Sequence, residues 1–119
     1  MVDNWAHAFI LRVLHKDILI ELYGECVFDD AKKRVLNGHL TTSHEMTVES
    51  CITTCTEKGY DYAGLEWGIE CFCGNEPSQG FDWAWSGKCD VNCAGDRKQI
   101  CGGSGAMSVY STQGVRGAT

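Results

Sequence analysis

The sequence predicts a small disulfide-stapled domain of mixed helix and strand, and three observations carry that expectation. The chain has 119 residues, enough for one ordinary domain and too few for two substantial cores. It holds eight cysteines, all between Cys26 and Cys101, a density typical of disulfide scaffolds. Hydrophobic residues make up 44%, but that figure includes the eight cysteines, and 14 glycines add disorder that a thin core must overcome. Covalent crosslinks are the expected remedy, and they persist only where thiols can oxidise, so an extracellular setting is expected.

Taken in order, Phe9, Ile10, Val13 and Leu14 recur at helical spacing and predict a short helix, followed by a strand over Ile18 to Tyr23. Thr47 to Lys58 reads as the main helix. Thr47 can cap it, Glu49 sits in the first turn, Gly59 stops it, and Val48, Cys51, Ile52 and Cys55 form its inward stripe. Trp67 to Gly74 and Met107 to Ser111 read as strands. Glu76-Pro77-Ser78 and Gly102-Gly103-Ser104-Gly105 read as turns, and the tail from Thr112 as flexible.

Cysteine spacing adds a geometric constraint. Cys51 and Cys55 share one helix face at a rise of about 6 Å, and Cys71 and Cys73 share one strand face at about 6.6 Å. The two ladders match, so paired disulfides can fasten helix to strand, either directly or crossed. Cys93 and Cys101 enclose a short polar loop, which leaves Cys26 to meet Cys89. Zinc is the rival for eight cysteines, but its structural sites present close thiolate pairs on turns, whereas these pairs lie on a helix and a strand. No metal or other cofactor is expected.

Charge and hydropathy narrow the partners. A net charge of −6 argues against nucleic acid and anionic membranes. No apolar run approaches the roughly 20 residues of a membrane span. Residues 1–21 also make a poor secretory signal, since Asp3 stands where a base belongs, so Met1 reads as a mature or re-engineered start. The apolar segment within residues 5–20 is a candidate homodimer surface.

The segments Arg34-Val35-Leu36, Met46 to Cys51, Tyr62 to Gly68, Glu70 to Asn75, Cys93 to Asp96, Ile100 to Gly103 and Ser108 to Tyr110 resemble the WSC domain. The resemblance runs over residues 22–111, leaving 1–21 as an N-terminal extension and 112–119 as a tail. It implies a small disulfide-rich α+β fold, one main helix on an antiparallel sheet, similar to PAN/apple domains, with four disulfides. Those would be Cys26–Cys89, Cys51–Cys71, Cys55–Cys73 and Cys93–Cys101. Such modules occur in fungal cell-wall sensors, beside glucan-active enzymes and in an animal receptor ectodomain. The resemblance therefore implies a secreted, lectin-like protein of the cell wall that binds polysaccharide, most of all β-1,3-glucan, or the glycans of glycoproteins. A protein-interaction module is the alternative.

Sugar recognition needs exposed rings beside carboxylates or amides. Phe81-Asp82-Trp83-Ala84-Trp85 offers this; if extended, Phe81, Trp83 and Trp85 project to one side and Asp82 to the other. Trp67 and Tyr62 complete the candidate carbohydrate site, although Trp67 beside the cysteine ladder could equally be core. Asn75, Asp96, Gln99, Asp61 and Asn92 are expected to staple their own loops. His39 and His44 read as solvent-facing loop residues. Glu66 and Glu70 suggest a hydrolase pair, but that chemistry needs a deep cleft, so the expectation is no catalytic residues.

Overall fold

The computed structural model describes residues 8–15 and 18–113. Helix α1 spans Val48–Glu57 and is set by its ends. Thr47 Oγ1 accepts from Ser50 N at 3.1 Å, and Ser50 Oγ accepts from Thr47 N at 3.1 Å, a reciprocal cap that satisfies two end groups. Gly59, at φ +83°, ends it. Its buried side chains are Val48, Cys51, Ile52 and Cys55, the stripe expected from sequence.

The described residues also form eight strands: β1 (Ala8–His15), β2 (Ile18–Phe28), β3 (His39–Thr42), β4 (Tyr62–Glu66), β5 (Glu70–Gly74), β6 (Asn92–Cys93), β7 (Asp96–Ile100) and β8 (Ala106–Ser111). Six form one sheet in the order β1-β2-β8-β4-β5-β3, every neighbour antiparallel, and β6 pairs with β7. Four disulfides join Cys26–Cys89, Cys51–Cys71, Cys55–Cys73 and Cys93–Cys101, the pairs the resemblance implies. The two central rungs are direct, with Cα separations of 5.4 and 5.2 Å, and clamp α1 onto β5. Among the described residues no helix is long and apolar enough to cross a membrane.

Three local expectations need correction. The helix expected around Phe9–Leu14 is strand β1, paired residue by residue with β2 from Ala8↔Glu25 to His15↔Ile18. A short apolar segment interrupted by Arg12 fits a strand as well as a helix, and eight cross-strand rungs decide it. His39 lies in β3 rather than a loop, half-buried, with Nε2 2.9 Å from Thr41 Oγ1. The expected strand from Trp67 begins only at Glu70, because Trp67 and Gly68, at φ +57° and +80°, turn the chain between β4 and β5. Residues 1–7, 16 and 17 of the 1–21 extension, which include 5–7, 16 and 17 of the proposed homodimer surface, and 114–119 of the tail fall outside the described residues.

Alternation gives the large sheet two faces. One carries Leu22, Ala63, Leu65, Cys71, Cys73 and Tyr110 against α1. The other carries Val27, Phe72, Met107 and Val109, covered by Leu36 and partly by Val35 and Phe81. Gly102, at φ +76°, sits where a Cβ would run into the backbone of Leu65, Glu66 and Ala106, so only hydrogen fits.

A polar cluster lies beneath that second covering. Arg34 Nη1 donates to Asp29 Oδ2 at 2.6 Å and to Glu66 Oε2 at 3.4 Å, and its guanidinium stands 4.8 Å from the Phe72 ring centre. Asp29 Oδ1 accepts from Val35 N at 2.8 Å. Glu66 is only 2% exposed, and its Oε1 is buried without a partner, as is Glu70 Oε1. Burial, then the hydrogen bond and negative charge of Asp29, push the Glu66 carboxyl up to about 9, with Arg34 opposing and Glu70 adding to the rise.

The folded protein thus holds a proton on Glu66 that the unfolded chain gives up above the ordinary value of 4.5. Stability should be greatest below that value and fall as pH rises toward about 9. Urea melts at several pH values should show this decline, and Glu66→Gln should flatten it. Equal slopes in both proteins would remove Glu66 as the cause.

Candidate functional site

The open half of the second sheet face lies over β2, β8 and β4. In register, Gly24, Tyr110 and Ala63 form one row across these strands. Tyr110 and Ala63 of that row face α1, so the alternate positions Tyr23, Glu25, Val109, Ser111 and Tyr62 present to the other side. The loop after β5 folds back to wall this surface. Phe28 N donates to Asp82 O at 2.8 Å and Ala84 N to Cys26 O at 2.9 Å, which sets Trp83 opposite Val27. Segment 82–84 thereby takes the edge of β2 that β1 leaves at Glu25.

The result is a cleft of about 500 Å³. Phe81 meets Tyr62 edge-on, with ring centres 5.2 Å apart, and leans on Trp83 at 5.6 Å. Tyr23 and Trp83 remain 61% and 47% exposed. Two carboxylates share the lining, Glu25 and Glu76, and Tyr62 Oη donates to Glu76 Oε1 at 3.3 Å. Burial and then the negative charge of Glu76 raise the Tyr62 phenol above its ordinary value, with Asp61 and Glu25 contributing. Apolar ring faces with acceptors at their margin fit the C–H faces and hydroxyl edges of a sugar.

Of the six residues expected from sequence, the structure unites Tyr62, Phe81 and Trp83. Asp82 instead lines a separate cleft of about 450 Å³ with Asp29, Lys33 and Arg34. Trp85 is 59% exposed but lines neither cleft, and its indole nitrogen lies against Gly87. Extended alternation does not carry that far, because the pairing with β2 closes at Ala84 and a 3-10 turn over Ser86–Lys88 follows, with Lys88 N donating to Trp85 O. Trp67, 53% exposed, stands alone on the β4–β5 turn, where a positive φ in a non-glycine residue is strained. That turn is held by Gly68 N donating to Cys101 O and Ala94 N to Gly68 O, both at 3.0 Å.

Tyr23, Glu25, Glu76 and Ser111 were not expected. Tyr23 and Glu25 had a usable signal, since they alternate with Leu22, Gly24 and Cys26 along β2. The polar loop residues divide. Asp96 Oδ1 accepts from Lys98 N within its own turn, whereas Asn75 Oδ1 reaches Asp61 N at 3.0 Å. Gln99 is no loop staple: its Oε1 accepts from Val48 N at 2.9 Å and its Nε2 donates to Glu49 at 2.7 Å, completing the start of α1 from a distant strand. Glu66 and Glu70 are cross-strand neighbours that line neither cleft. Among the described residues the one group spaced like metal ligands is Cys51, Cys55 and Cys71, whose sulfurs are all committed to disulfides.

Comparison with known proteins agrees with this architecture. A family model described as the WSC domain matches residues 23–103. The chain is 36% identical over 88 residues to Xylosyltransferase oxt of Drosophila melanogaster, covering 73% of this chain and 10% of that protein. It is 36% identical over 88 residues to Kremen protein 1 of Homo sapiens, covering 73% of this chain and 19% of the relative. A WSC domain-containing protein of Arthroderma benhamiae is 37% identical over 90 residues, covering 75% of this chain and 10% of the relative. The chain therefore spans between a tenth and a fifth of the length of these relatives. It belongs to the WSC domain family.

Proposed function

We propose that this protein is a non-catalytic, lectin-like module that binds cell-wall polysaccharide outside the cell, with β-1,3-glucan as its first candidate ligand. The observation that carries the reading is the cleft where Tyr23, Tyr62, Phe81 and Trp83 meet Glu25 and Glu76 on a disulfide-braced sheet. Trp83 is the main stacking platform, exposed on one side and backed by β2 on the other. Residues 22–111 are taken as the module, with 1–21 an extension and 112–119 a tail. The edge of β1, at one end of the sheet, is the place where a second copy would pair through residues 5–20.

A shallow platform of this kind suits micromolar to millimolar affinity per site, raised by several contacts with one polymer. Sedimentation with insoluble β-1,3-glucan tests the reading. Trp83→Ala should lose about tenfold in binding, equivalent to about 1.4 kcal/mol, whereas Trp85→Ala should sediment like the native protein. Undiminished binding by Trp83→Ala would remove this cleft from the site.

A further inference from the structure

We propose that one polysaccharide chain occupies two clefts at once, running from the Trp83 cleft across Gly80 into the Asp82 cleft, so that the module selects long oligomers over short ones. This deepens the glycan-binding reading and rests on it. The two clefts, of about 500 and 450 Å³, share Gly80 in their linings. Beyond it the side chains alternate, with Phe81 and Trp83 lining the first cleft and Asp82 the second. The wall between them is therefore one backbone thick, about 5 Å, a span that a polymer bridges and a single sugar does not.

Gly80 is the low point of that wall. Its N–H donates to Pro77 O at 2.9 Å in a turn, and its φ of +78° is left-handed. Among the described residues, a Cβ built there would meet nothing within 4 Å, so the position opens onto space. Past this point the wall is fixed. Phe28 N donates to Asp82 O at 2.8 Å, and the Phe81 ring rests on Tyr62 with centres 5.2 Å apart. A fixed wall holds the clefts at a set spacing, so a chain bound in the first is presented to the second at high effective concentration.

The second cleft offers chemistry for the same ligand. Phe28 is 38% exposed, and Asp30, Lys33, Gln79 and Asp82 are exposed around the same lining. Carboxylate and amide oxygens accept from sugar hydroxyls, while the lysine ammonium and the amide N–H groups donate to them. Acids and a base side by side suit hydroxyls, which act as donor and acceptor at once.

NMR titration of the whole chain with β-1,3-glucan oligomers of two and six sugars tests the path. The six-sugar oligomer should bind at least about tenfold tighter. A chain carrying Lys33→Ala and Asp82→Ala should lose about five- to tenfold for the six-sugar oligomer and bind the two-sugar one like the native protein. Gly80→Asn keeps a residue that tolerates positive φ but sets a side chain on the crossing, and it should have the same effect. Lys32→Ala removes an exposed lysine that lines neither cleft and should change neither affinity. Native six-sugar affinity in the Lys33 and Asp82 variant would overturn the second cleft, as would an equal loss for both oligomers. A loss in that variant with Gly80→Asn unaffected would overturn the crossing at Gly80. In each case the Trp83 cleft and the glycan reading would stand, whereas binding of neither oligomer by the native chain would overturn both.

Discussion

A chain carrying Cys26→Ala and Cys89→Ala should be about 4 kcal/mol less stable than the native protein, the largest loss expected from removing any one crosslink. The two residues are 63 apart in sequence, so their bond restricts the unfolded chain far more than Cys93–Cys101, which are 8 apart. The same chain-entropy reasoning gives about 2.5 kcal/mol for the short loop. Cys26 and Cys89 also form a small core with Ala84 and Ala106. The bond thus pins the far end of the segment whose near end is Trp83 opposite Val27. Losing it should loosen the cleft wall as well as the fold, so glycan binding should weaken at temperatures where the rest of the sheet still holds. Urea melts of the two double variants under non-reducing conditions check the ranking. A short-loop variant that loses as much as the long-loop one would show that strain or core packing, rather than chain entropy, sets the cost.

Helix α1 was readable from sequence because its signals are local: a capping Thr47, a stopping Gly59 and two cysteines one turn apart. The ladder from Cys51 and Cys55 to Cys71 and Cys73 was readable for the same reason, since rise per residue fixes which sulfurs share a face. The cleft was readable only in part. Trp83, Phe81 and Tyr62 announce themselves as rings, but Tyr23 and Glu25 join them only because β8 lies between β2 and β4, a non-local arrangement that no short window contains. Trp85 lies outside that lining for the opposite reason, since the alternation that placed it beside Trp83 ends where pairing with β2 stops. Gln99 was misplaced as a loop staple because its partner lies 51 residues away, and the pairing of Glu66 with Arg34, 32 residues away, left no local signal. Their polar character fits an exposed loop or a reacting pair equally well until Val48 and Arg34 are seen beside them.

Arg34→Met should cost about 3 kcal/mol, the lower end of the range for breaking a buried ion pair, because the guanidinium is 28% exposed while its partners are sealed. Asp29 and Glu66 have side chains 0% and 2% exposed, so the loss falls on a carboxylate, Asp29, and a protonated carboxyl, Glu66, that water does not reach. Methionine preserves much of the contact with the Phe72 ring, which isolates the charge from the packing. Adding Asp29→Asn should recover part of the stability. Its remaining oxygen still accepts from Val35 N, and the neutral amide no longer needs a cation. The pH profile supplies a second readout. Arg34 is the group that holds the Glu66 carboxyl down, so its removal should drive that group higher still and carry the fall in stability on to higher pH. Urea melts at about pH 5 and about pH 10, on either side of the Glu66 value, separate the outcomes. A loss below about 1 kcal/mol at both would mean that the cluster behaves like a solvated surface pair, and the covering of Phe72 by residues 29–36 would then rest on Leu36 and Val35 alone.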